Sequence, residues 1–101
     1  MISLEKQFEV ELLQKMQRAK KECKYNPTRF NQMIAQHGAI ETAKRLIHNG
    51  IETGHTSDGF TTLCLCGRTD LSMEDAVCNP KYHCLFSQEE IDYCTDLLGR
   101  T

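Results

Sequence analysis

A chain of 101 residues with 40% apolar and 26% charged side chains is large enough for one core and has the composition of a soluble globular domain. No apolar run approaches the length of a membrane span, and the N-terminus lacks the basic-then-apolar pattern of a secretory signal, so the expected location is the cytoplasm, with no membrane partner. The net charge of −2 is uneven: residues 1–50 carry nine Lys/Arg against five Asp/Glu, and residues 51–101 carry three against nine.

The first helix is expected from about Leu4 to Cys23. Leu4, Phe8, Leu12, Met16, Ala19 and Cys23 recur in steps of three and four, which places them in one stripe of roughly 120°. Lys6, Lys20, Lys21 and Lys24 fall opposite. Val10 and Leu13 lie off the stripe, where a partner helix could reach them, although isolated apolar residues are ordinary on surfaces.

Residues 25–47 are the best-punctuated stretch. Asn26 suits an N-cap and Pro27 the first helical position. Phe30, Met33 and Ile34 give one apolar stripe, and Gly38 can end it at positive φ. Ile40, Ala43, Leu46 and Ile47 give a second stripe, which Asn49-Gly50 can end. A Gly-rich loop follows. Ser57 or Asp58 can cap a short helix holding Phe60, Leu63 and Cys64, stopped by Gly67. Ser72 to Asp75 and Ser87 to Glu90 both have capping-box spacing. The first opens a helix burying Met73, Ala76 and Val77, and Asn79-Pro80 interrupts it. The second opens a helix with Ile91, Cys94, Leu97 and Leu98, stopped by Gly99. The expectation is a single all-α domain, a compact bundle of about six helices in which a long N-terminal helix precedes shorter ones.

The motifs Tyr25-Asn-Pro-Thr-Arg-Phe30, Ala43-Lys-Arg-Leu46, Asp58-Gly-Phe60 with Leu63, and Gly67-Arg-Thr-Asp-Leu-Ser72 with Glu74 resemble a group of small bacterial helical domains. That group is similar in its Tyr-Asn-Pro-x-Arg-Phe, Ala-Lys-Arg-Leu, Gly-Phe-x-x-Leu and Gly-Arg-x-Asp-Leu-Ser elements, over about residues 17–98. The resemblance implies a compact helical domain and no particular mechanism.

Six cysteines are the sharpest chemical feature. Cys64, Cys66, Cys78 and Cys84 lack the paired spacing of structural zinc, and on a helix Cys64 and Cys66 point about 200° apart. In the resembled group, large apolar residues stand where Cys64, Cys66 and Cys78 are, which implies cysteine as a small core hydrophobe. Most of the thiols are therefore expected to be reduced, metal-free and partly or fully buried, since disulfides are rare in the cytosol. The histidines at 37, 48, 55 and 83 have no ligand spacing, and there is no phosphate-cradling loop. No enzyme activity, cofactor or metal is expected.

Arg29 and Arg68 sit inside distinctive motifs. They are expected to tie loops to acidic partners such as Asp70 or Glu74, or to form a polar surface for a partner's carboxylate or phosphate. The functional expectation is a non-catalytic interaction module acting on another protein or on a second copy in a homodimer. The candidate surface comprises Leu4, Phe8, Leu12, Leu13, Arg29, Lys44, Arg45 and Arg68. The alternative is a nucleic-acid-associated regulator using the basic first half. Two outcomes stay open for residues 1–15: an amphipathic helix extending from the core to meet a partner, or one folded back on Ile91, Cys94 and Leu98.

Overall fold

A computed structural model describes residues 2–100. Six α-helices follow one another: α1 (Leu4–Cys23), α2 (Thr28–His37), α3 (Ala39–Thr53), α4 (Asp58–Leu65), α5 (Met73–Val77) and α6 (Gln88–Leu97). Two 3₁₀ turns, Thr69–Leu71 and Pro80–Leu85, precede and follow α5. Among the described residues there is no strand. The radius of gyration is 12.5 Å, close to the value of about 13 Å for a packed chain of this length.

Helix α1 packs against α3, α5 and both 3₁₀ turns. Its stripe supplies Phe8, Leu12, Met16 and Ala19, all buried. Phe8 is fully buried and lies edge-on to both Tyr82 and Phe86, with centroids 5.2 Å apart in each pair. Such T-shaped pairs add about 0.5–1.5 kcal/mol to the gain from area. The first half of α1 therefore does not extend from the core. It folds back into the core cluster that also holds Ile91 and Cys94, with Phe8 set against Tyr82, inside the second 3₁₀ turn, and Phe86, just after it. The periodicity of α1 carried no information about Tyr82 or Phe86, because they lie more than seventy residues beyond Phe8 in the chain.

Local punctuation behaves mostly as the residue types dictate. Gly38 has φ 85° and ψ 162° and serves both as the C-cap of α2 and the N-cap of α3. That region of φ/ψ space is essentially closed to residues with a Cβ. Gly67 and Gly99 take positive φ. Each lets the following amide reach back in a Schellman pattern, Arg68 N–H to Leu63 O (2.9 Å) and Arg100 N–H to Thr95 O (2.9 Å).

Three boundaries differ from expectation. Helix α2 begins at Thr28, and Asn26 Oδ1 accepts from the Thr28 hydroxyl (2.6 Å) instead of capping the backbone. Helix α3 runs through Gly50 to Thr53 and ends at Gly54, φ 75°. Gly50 is not a stop. It lies where the Tyr93 hydroxyl of α6 presses on α3, and a Cβ there would collide with the phenol. At Ser72 only half a capping box forms. Ser72 Oγ accepts from Asp75 N–H (3.2 Å), but the Asp75 carboxylate turns to Lys15 (2.7 Å) and Arg100 (2.6 Å). At Ser87 the box is complete.

The cysteines depart furthest from the sequence reading. Cys23 and Cys66 form a disulfide with Cα atoms 6.0 Å apart, within the range that a disulfide spans. The ends of α1 and α4 converge because Ala19, Leu63 and Leu71 form a second small apolar cluster between them. Cys64 and Cys84 are exposed, Cys78 is half-buried, and only Cys94 is buried. Core filling thus describes Cys94, and burial pushes its thiol pKa far up.

Candidate functional site

The residues expected to form one surface are dispersed. Phe8 and Leu12 are fully buried in the chain's own core, and Leu4 packs half-buried against it, so none of these three offers a docking face. The physical reason is that the stripe packs into the chain's own core cluster, in which Tyr82 and Phe86 lie edge-on to Phe8. Lys44 Nζ donates to Glu90 Oε1 (2.8 Å) and lies 5.2 Å from the Phe86 ring centroid. Arg45 pairs with Glu41 one turn back (3.1 Å). Arg68 forks onto Asp70 (3.0 and 3.1 Å) and also donates to Glu22. Its hydrogen bonds lower the Asp70 pKa, and with those of Arg18 they lower the Glu22 pKa. Arg68 therefore ties a loop to acidic partners, with Glu22 in place of Glu74. Arg29 is exposed.

Leu13 alone of the four candidate α1 residues faces outward, at 41% exposure, with Val10 beside it at 37%. These are the two residues that fall off the buried stripe. A shallow groove runs from them between α1 and the start of α2. Val10, Leu13, Met16 and Pro27 form its apolar floor, and Gln14, Gln17, Lys20 and Asn31 its polar edge. An adjoining hollow is walled by Gln17, Arg18, Lys20 and Lys21. Lys20, Lys21 and Lys24 are exposed, while Arg18 is paired with Glu22 (3.1 Å). The face is thus an apolar strip that grades into a basic end.

Two buried carboxyls lie apart from this face. Glu90 accepts from Lys44, from the Ser87 amide (2.7 Å) and from the His48 ring (2.7 Å). Burial raises its pKa, but these three contacts outweigh burial and hold it down at about 2. Lys44 and His48 stand four apart on α3, and that spacing was the sequence signal for two donors on one helix face. Glu74 is 4% exposed, and its carboxyl makes no hydrogen bond or ion pair with a side chain among the described residues. Burial pushes it up to about 7. It lies close enough to Tyr25 and Tyr93 to raise their pKa values, after burial, which is the larger cause.

Neither carboxyl lines either of the two hollows beside α1. Among the described residues no three of His, Cys, Asp and Glu gather closely enough to hold a metal ion. No helix among them is long and apolar enough to cross a membrane. No protein-family model, no curated protein and no solved structure matches the chain.

Proposed function

We propose that the protein is a non-catalytic interaction module that binds another protein through the outer face of α1. The observation that supports this reading is the groove with exposed Val10 and Leu13 over Met16 and Pro27. An apolar strip edged by amides and lysines suits the apolar stripe of a partner helix, whose acidic flank would meet Lys20 and Lys21. A second copy of the chain is one such partner, since its second half is acidic.

A second reading is favoured by the exposed Lys20, Lys21 and Lys24 at the basic end: contact with nucleic-acid phosphates. The two readings separate on salt. Phosphate binding weakens by roughly one power of salt for each phosphate neutralised, whereas an apolar interface holds. The test is a pair of variants, Leu13→Glu and Lys20→Glu/Lys21→Glu, each checked for unchanged helicity. Sedimentation equilibrium and affinity capture under nuclease treatment would then compare both with wild type. The protein-binding reading expects Leu13→Glu to abolish a salt-tolerant complex. Complexes lost only in the lysine variant, and only at raised salt, would transfer the assignment to nucleic acid. Self-association or capture unchanged by Leu13→Glu would remove this face from the function.

A further inference from the structure

The Cys23–Cys66 bond joins the last turn of α1 to the end of α4. Cys66 is exposed and Cys23 is half-buried. A disulfide sulfur that meets solvent is open to attack by a thiolate, and exposed disulfides are the labile class. The residues around Cys66 in the chain face solvent too: Leu65 is 85% exposed, and Cys64 and Gly67 are exposed.

The bond also secures an element that is otherwise lightly attached. Among the described residues, α4 packs chiefly on the Thr69–Leu71 turn just after it in the chain and only slightly on other elements. Helix α4 buries Phe60 and Leu63, and the small apolar cluster that it shares with α1 has three buried residues, Ala19, Leu63 and Leu71, flanked by Cys23 and Tyr25. Just past the end of α4, Arg68 also pairs with Glu22 of α1, at the surface. The Phe8 cluster, by contrast, unites residues of α1, α2, α3, α5 and α6.

We propose that Cys66 is a thiol–disulfide exchange site whose co-substrate is a small thiol or dithiol, and that opening the bond releases α4 from α1. The co-substrate thiolate attacks Cys66 Sγ, and the bond to Cys23 breaks. Cys23 departs with the electron pair and takes a proton. A mixed disulfide then stands on Cys66. A second co-substrate thiolate attacks the co-substrate sulfur of that mixed disulfide and frees Cys66 as its thiolate. Two thiols become one disulfide, and the chain gains two electrons. Attack at Cys66 and not at Cys23 follows from their exposure.

The test uses the whole native protein. Dithiothreitol is titrated under folding conditions, and the cysteines are read by differential alkylation and mass spectrometry. Cys64 and Cys84 serve as exposed reference thiols. Amide hydrogen exchange follows residues 58–67 in parallel. The proposal expects Cys23 and Cys66 to become alkylated together at reductant levels that leave helicity intact. Exchange in residues 58–67 should rise about tenfold or more while α3 and α6 stay protected. Limiting glutathione should trap the mixed disulfide on Cys66. Cys23→Ser/Cys66→Ser should show the fast exchange without reductant. The proposal is overturned by a bond that resists reduction until the chain unfolds. Unchanged exchange after reduction, glutathione trapped on Cys23, or global unfolding of the reduced protein or the double variant would each overturn it too.

Discussion

Glu74 and Glu90 are withdrawn from water almost equally, at 4% and 2% exposure, yet their environments drive their carboxyls in opposite directions. Glu90 lies where α6 crosses α3, and α3 presents Lys44 and His48 to it. Glu74 lies in the five-residue α5, among neighbours that include the phenols of Tyr25 and Tyr93 and the thiols of Cys78 and Cys94, all of which sense its charge. Burial disfavours the charged form in both places. What differs is whether a facing helix supplies donors. An ionised carboxylate survives burial where they arrive, and a proton takes their place where they do not.

The sharpest way to break the contrast is to remove the satisfied member. Glu90→Ala strands the Lys44 ammonium and deletes one arm of the Ser87 capping box. Breaking a buried pair by removing one partner costs about 3–5 kcal/mol; Lys44 keeps 33% of its side chain exposed, so a loss at the lower end, about 3 kcal/mol, is expected in urea denaturation at neutral pH. The Glu90 pKa is depressed in the fold. Its stabilisation is therefore complete above its ordinary value near 4.5 and is lost as pH falls toward 2. A Glu90→Ala melt equal to wild type would mean that the α3–α6 seam is not held as described.

The opposite sign is expected at Glu74. Its pKa is raised in the fold, from 4.5 to about 7. The folded chain therefore binds a proton more tightly than the unfolded chain does. That contribution is complete below pH 4.5 and is lost as pH rises through 7. A rise of that size corresponds to on the order of 3 kcal/mol. Glu74→Gln should match wild type near pH 4 and exceed it by roughly 3 kcal/mol at pH 8, as read from urea midpoints across pH. Parallel curves for the two proteins would show that Glu74 ionises freely in the fold.

This contrast also marks where sequence was informative. The helices, Gly38, the Schellman glycines and the Ser87 box all depend on neighbours within a few residues, so their chemistry is local and legible. The candidate site was less so. Leu13 and Val10 were visible as the residues off the stripe, but Phe8 and Leu12 were misplaced because their cover comes from a core assembled by distant parts of the chain, for Phe8 from Tyr82 and Phe86. These aromatics, four apart around a 3₁₀ turn, had no helical pattern to announce them. The Cys23–Cys66 bond spans 43 residues and depends on how α4 docks, which spacing does not encode. Gly50 reads as a terminator by residue type and acts as clearance for Tyr93, a relation that only the α3–α6 crossing creates.

The smallest test extends the contrast from carboxyls to a hydroxyl. Thr42 is fully buried on α3, and its Oγ1 is the buried side-chain N or O atom left without a hydrogen-bond partner among the described residues. Its backbone is well placed, with its amide donating to Gly38 O (3.1 Å), so the orphaned group is the hydroxyl alone. Leaving a buried donor unpaired costs about 1–3 kcal/mol relative to an apolar group of the same shape. Valine has that shape and keeps the β-branched rotamer of a helical position. Thr42→Val should therefore raise stability by about 1 kcal/mol, seen as a higher urea midpoint with an unchanged slope. The gain should be independent of pH, unlike that of Glu74→Gln, because no proton is exchanged. A loss of stability in Thr42→Val would show that the hydroxyl has a partner after all, most simply a buried water. Thr42 would then belong with Glu90 among the satisfied groups.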